Sequence, residues 1–93
     1  MAIEVRLPTV LRAAASGQAN VSVEGETIGE ILKALADRYP GLGSQVISPD
    51  GSLHRFVNVY LNDDDVRYLD KLDTKVIEGD VVSILPAVAG GSL

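Results

Sequence analysis

The side chains able to do chemistry are few. His54 is the only histidine, and cysteine is absent. Without cysteine there is no disulfide framework, no thiolate metal site and no thiol nucleophile, so any reactive sulfur has to be added to the chain. A lone imidazole beside Arg55 has no second positioned group at a recognisable spacing, and general acid–base work needs one, together with a pocket; His54 reads as a loop contact. Asp63, Asp64 and Asp65 offer hard oxygen ligands, but consecutive aspartates point in different directions. The alternating ligands, central glycine and distal glutamate of a calcium loop are missing. The three read as a solvated turn, and no metal is expected. Lys33, Lys71 and Lys75 read as solvated surface, open to conjugation. What remains is Ala89-Gly90-Gly91, followed by Ser92 and Leu93. Two residues without side chains let a backbone enter a narrow pocket of another protein, although taken alone a glycine pair so near an end reads as fraying.

The scaffold that would carry this tail is small. Ninety-three residues, 46% hydrophobic and 23% charged, fit one globular domain with a single core and little room for a large internal cavity. Chemistry is therefore expected at the surface or at an end. Eight basic against 13 acidic residues give a net charge of -5, the wrong sign for tracking phosphates, and 4% aromatic residues supply no stacking platform, so nucleic acid is excluded as a partner. Asp63, Asp64, Asp65, Glu78 and Asp80 form an acidic surface that suits a basic protein partner, with an attraction that salt weakens. The start Met1-Ala2-Ile3-Glu4-Val5-Arg6 is not a secretory signal and no stretch has membrane-spanning length, which predicts a cytoplasmic protein without membrane contact.

Ile3, Val5 and Leu7 alternate with Glu4 and Arg6 as in a half-buried strand that ends at Pro8. The small polar run Ala13 to Asn20 predicts a turn, and Val21 and Val23 resume the alternation, making a hairpin. Thr27 and Glu30 have capping-box spacing; Ile28, Ile31, Leu32, Leu35 and Ala36 then form one helical stripe, stopped by Tyr39-Pro40-Gly41. Leu42 to Ile47 reads as an apolar connector, and Ser48-Pro49-Asp50-Gly51 as a turn opening a flexible loop. Phe56 to Leu61 alternates again and is expected as the middle strand, before Asn62 to Asp65 turns the chain. Glu78-Gly79-Asp80 turns into the β-branched run Val81 to Leu85, which ends at Pro86. This order argues for an α+β roll, a mixed sheet of four to five strands covered on one face by one main helix.

On this background the chain resembles the ThiS/MoaD group of ubiquitin-like β-grasp sulfur carriers, most closely those of bacterial cysteine synthesis. The resemblance covers nearly the whole chain. It rests on Leu53-His54-Arg55-Phe56-Val57-Asn58, Leu61-Asn62-Asp63-Asp64-Asp65-Val66-Arg67, Gly79-Asp80 and, most specifically, Ile84-Leu85-Pro86-Ala87-Val88-Ala89-Gly90-Gly91. It implies a β-grasp domain over 1–86 with a flexible C-terminal tail over 87–93. It also implies a protein co-substrate rather than an enzyme: the Gly91 carboxylate is adenylated by an E1-like enzyme that uses ATP, becomes a thiocarboxylate, and delivers sulfur to an accepting synthase. The chain itself binds no cofactor. A tail of about six residues beyond Pro86 spans roughly 20 Å, enough for the end to react while the domain stays outside the enzyme.

In that family the reactive form ends at the second glycine, whereas this sequence continues. The resemblance therefore implies cleavage between Gly91 and Ser92 by a JAMM-type metallopeptidase, removing Ser92-Leu93; the alternative is that these two residues are foreign to the native end. An alternative fate for activated Gly91 is an isopeptide bond to lysines, as in a ubiquitin-like protein modifier. Strand alternation also predicts a partner surface. If Val57, Val59, Leu61, Val82 and Ile84 face the helix, then Phe56, Asn58, Tyr60, Val81, Ser83 and Leu85 face out. Phe56, Tyr60, Val81 and Leu85, together with Val88 of the tail, are the expected contacts with the activating enzyme.

Overall fold

The computed structural model describes residues 2–49, 51–54 and 57–86. β1 (Ala2–Arg6) buries Ile3 and Val5 and exposes Ala2 and Arg6, as its alternation requires. Ahead of the turn expected over Ala13 to Asn20, a short α1 (Thr9–Arg12), with Pro8 at its N-cap, runs into a 3₁₀ turn at Ala13–Ala15. The reason lies in spacing: Leu7, Leu11 and Ala15 recur every fourth residue and all three are buried. Ser16 (φ 58°) and Gly17 (φ 82°) then break the turn in the left-handed region. β2 (Asn20–Glu24) pairs antiparallel with β1, Ile3 opposite Val23 and Val5 opposite Val21, completing the expected hairpin.

α2 (Ile28–Arg38) buries Ile28, Ile31, Leu32 and Leu35 against the sheet, each worth about 1.5–3 kcal/mol relative to exposure. Its start is capped by Thr27, whose Oγ1 accepts the Glu30 amide at 3.2 Å. The Glu30 carboxylate reaches one residue further back than the usual box, accepting the Glu26 N–H at 3.0 Å. Tyr39 closes α2, and Pro40 begins a second helix, α3 (Pro40–Val46), where the sequence suggested a connector. Leu42 and Val46, one turn apart, are buried there. Gly43 makes the fit possible: a Cβ on it would lie 3.0 Å from the Ala36 Cα of α2.

β3 (Val57–Leu61), β4 (Asp64–Asp65) and β5 (Val81–Pro86) complete a five-stranded sheet in the order β2-β1-β5-β3-β4. The middle strand is β5, not the stretch Phe56 to Leu61. β5 pairs in parallel with β1 and antiparallel with β3, and its denser β-branched run suits a strand flanked on both sides. Asn62 (φ 57°) turns β3 toward β4, so the aspartate run divides between a turn and a two-residue strand. Two 3₁₀ turns, Val66–Tyr68 and Lys71–Asp73, lead back toward β5. They are tied to α2 by Thr74, whose side chain accepts the Asp70 N–H at 3.0 Å and whose carbonyl accepts the Ile28 N–H at 2.9 Å.

Candidate functional site

The end of β5 is where the fold delivers its C-terminus. Val81 to Ser83 lie beside Glu4 to Arg6 of β1, whereas Val82 to Pro86 lie beside β3, Leu85 opposite Asn58 and Pro86 opposite Val57. Because β1 turns off at Leu7-Pro8 into α1, the last residues of β5 lose their neighbour on one side. A groove of about 360 Å³ opens there, between Arg6, Leu7 and Arg12 on one wall and Ser83 to Leu85 on the other. A second groove, of about 300 Å³, meets Pro86 from the α1 and α3 side, past Val10, Leu11 and Gln45. Leu85 and Pro86 therefore each border an open groove, and both are exposed rather than inside the core.

The strand alternation separates the faces as expected. Val57, Val59, Val82 and Ile84 are buried under the helices; Asn58, Tyr60, Val81 and Ser83 are half-buried on the other face, and Leu85 is 45% exposed. Tyr60, Val81 and Leu85 thus share the open face, with Tyr60 opposite Ser83 across the ladder. Phe56 and Val88, the other expected contacts, lie outside the described residues, as do Gly90, Gly91, Ser92 and the rest of the tail over 87–93.

Two features of this region are not legible in the sequence. Arg67, on the 3₁₀ turn after β4, donates to Asn58 Oδ1 at 2.6 Å and to the His54 carbonyl at 3.1 Å, while the Asp65 carboxylate caps its N–H at 2.8 Å. This latch spans the start of β3 next to Leu85. It connects residues 9 and 13 positions apart, a distance no local pattern encodes. Val10, 70% exposed on α1, adds a second apolar side chain near Pro86; finding it needed α1 itself.

The acidic residues are not all solvated charges. Asp80 accepts the Ile77 N–H at 2.9 Å and the Asn62 side-chain amide at 3.2 Å, and Asp65 is committed to Arg67. Asn62 also joins the two strands, its N–H donating to the Val81 carbonyl at 2.7 Å and its Oδ1 accepting the Val81 N–H at 3.1 Å. Asp63, Asp64 and Glu78 are exposed. Among the described residues no three His, Asp or Glu side chains converge on a point that a metal ion would occupy, and no helix is long and apolar enough to cross a membrane. His54 is half-buried, and its backbone N–H donates to the Val46 carbonyl.

Comparison with known proteins connects this geometry to a family. The ThiS family model matches residues 5–91. The sulfur carrier protein CysO of Mycobacterium tuberculosis is 46% identical over 93 residues, covering 98% of this chain and 100% of that protein. Its crystal structure superposes with a TM-score of 0.86, covering 92% of this chain and 99% of that one. The crystal structure of the Amycolatopsis orientalis BexX/CysO complex contains a chain matching at TM-score 0.87 and 42% identity, with 96% and 99% covered. Small archaeal modifier protein 3 of Haloferax volcanii is 42% identical over 65 residues, 70% of each chain.

Proposed function

Since the chain belongs to the ThiS family, we propose that it is a sulfur carrier whose Gly91 carboxylate, once exposed, is activated and loaded by partner enzymes. The observation that carries this reading is the family match, which extends through Gly91 and includes both terminal glycines. Full-length similarity to a sulfur carrier protein supports it. Removal of Ser92-Leu93 by a JAMM-type metallopeptidase hydrolyses the Gly91–Ser92 bond and leaves Gly91 with a free carboxylate. That carboxylate is a poor electrophile. Attack of its oxygen on the α-phosphorus of ATP, in the pocket of an E1-like enzyme, forms an acyl adenylate and expels pyrophosphate. Sulfide then attacks the acyl carbon, AMP leaves, and a thiocarboxylate remains. An accepting synthase takes the sulfur, with the similarity favouring a cysteine-type pathway, in the cytoplasm. The chain does no catalysis and binds no cofactor of its own.

The open face explains how such a reagent can be handled. Leu85, two residues before the tail, and the half-buried Val81 and Tyr60 on the same face offer apolar contact, the combination of anchor and rim that a docking site needs. The existence of a complex containing a related carrier chain supports handling by a partner of this kind.

A second reading, a protein modifier joined through Gly91 to lysine amines, is favoured by the similarity to an archaeal modifier protein. Both readings share activation and differ in the acceptor. Chains with and without Ser92-Leu93 are incubated with an activating enzyme, ATP and sulfide and weighed intact. A gain of about 16 Da, sulfur for oxygen, on the chain ending at Gly91 alone supports the carrier. Gly-Gly remnants on target lysines in cells support the modifier, and an inert Gly91-ended chain refutes both.

A further inference from the structure

We propose that the β2 edge of the sheet is a self-pairing surface for a second copy of this chain, held shut at its centre by Arg38. The inference is independent of sulfur carriage and rests on the phase of the β1–β2 ladder. Leu7 N–H donates to the Ala19 carbonyl at 2.8 Å, and bonded pairs in an antiparallel ladder recur at every second residue. In the observed register, Val5 opposite Val21 and Ile3 opposite Val23, it is therefore Val21 and Val23 that exchange backbone bonds with β1. The backbone groups of Asn20, Ser22 and Glu24 face the other way, and β2 is the outermost strand on that side. A row of outward amides and carbonyls of this kind is a template for another strand.

Arg38 occupies the centre of that row. It is the last residue of α2, and its Nη1 donates to the Ser22 carbonyl at 2.8 Å. Arg38 lines an open groove of about 260 Å³ between the helix and the edge, together with Ser22, Val23, Glu24 and Ala34. A strand entering this position must displace the guanidinium.

The edge is built to accept its own copy once that happens. Antiparallel pairing about a two-fold axis at Ser22 places Ser22 opposite Ser22 and Asn20 opposite Glu24, so no like-charged pair meets across the strand–strand seam. The axis runs through the sheet and keeps both copies of α2 on the same face, so the two Arg38 side chains would converge at the axis. Arg38 thus opposes pairing twice, by holding the carbonyl that the central pair needs and by bringing two positive charges together.

The test compares wild type, Arg38→Ala and Arg38→Ala/Ser22→Pro by sedimentation over a wide concentration range, with circular dichroism showing that each is folded. The Ser22 N–H faces away from β1, so proline there spares the β1–β2 ladder while blocking the edge. Wild type is expected to be monomeric; Arg38→Ala is expected to dimerise about tenfold more tightly or better; the double variant is expected to return to monomer. Amide exchange gives a readout that does not need the proline variant: the Ser22 N–H of Arg38→Ala should slow about tenfold on concentration while wild type does not change. A folded Arg38→Ala that stays monomeric overturns the proposal, as does a dimer that survives Ser22→Pro or leaves Ser22 exchange unchanged.

Discussion

Leu85 is the side chain on which docking of the activating enzyme is most sharply tested. It is 45% exposed on the open face of β5, opposite Asn58, one residue before Pro86. Full burial of a leucine is worth about 1.5–3 kcal/mol, so covering the exposed share gives about 0.7–1.4 kcal/mol. Leu85→Ala should then lower kcat/KM for adenylation by about three- to tenfold, since 1.4 kcal/mol corresponds to a factor of ten. Leu85→Glu goes further, because a carboxylate forced into an apolar contact adds its own desolvation penalty of several kcal/mol; a fall of about a hundredfold or more is expected. The fold should barely notice. Leu85 points away from the core, its strand partner is polar, and the nearby Arg67 guanidinium tolerates a new carboxylate, so Tm should move by no more than about 4 °C. The assay is pyrophosphate release by the activating enzyme at carrier concentrations well below saturation, with thermal melts in parallel. Unchanged release from a folded Leu85→Glu protein removes Leu85 from the interface; a large loss of Tm shows that the side chain supports the core instead.

Other substitutions test the scaffold behind that face. Gly43→Ala forces a methyl against Ala36 between α2 and α3 and should cost about 1–3 kcal/mol in urea unfolding; an unchanged midpoint contradicts the close helix approach. Asn62→Ala loses the side-chain bonds to Val81 and Asp80 and strains a left-handed residue, about 2–3 kcal/mol together. Asn62→Gly keeps the turn and should fall between that variant and wild type. Arg67→Ala releases both the Asn58 side chain and the His54 carbonyl and should raise amide exchange at Val57 about fivefold or more, while a Val57 amide unaffected by the change means the latch does not hold the start of β3.

What the sequence made legible follows from the range of the interactions. β1, β2, β3 and β5 announce themselves because one face of each is buried, so Ile3 and Val5, or Val57 and Val59, stand out at period two. α2 carries its own start signal in Thr27 and Glu30, and its stripe is long enough to count. α1 and α3 escape notice for the opposite reason: four and seven residues, with Pro40, Gly41, Gly43 and Ser44 in the second, give too few turns for a period and poor helix propensity, so tertiary packing of Leu11, Leu42 and Val46 decides them. The order of the strands is hidden because parallel pairing of β1 with β5 joins opposite ends of the chain. At the candidate site the outward set Tyr60, Val81 and Leu85 needed only alternation, whereas the Arg67 latch and the position of Val10 needed the assembled fold. The role of Gly90 and Gly91 came from family resemblance, since two glycines have no periodicity to read.

The central claim is that sulfur is carried on the carboxyl carbon of Gly91. Top-down fragmentation of the Gly91-ended chain, taken from a reaction with activating enzyme, ATP and sulfide, measures this directly. The account predicts a mass gain of about 16 Da confined to the fragments that contain the terminal glycine. A gain placed on any internal residue, or an unmodified chain from an enzyme preparation that loads a related carrier, contradicts it.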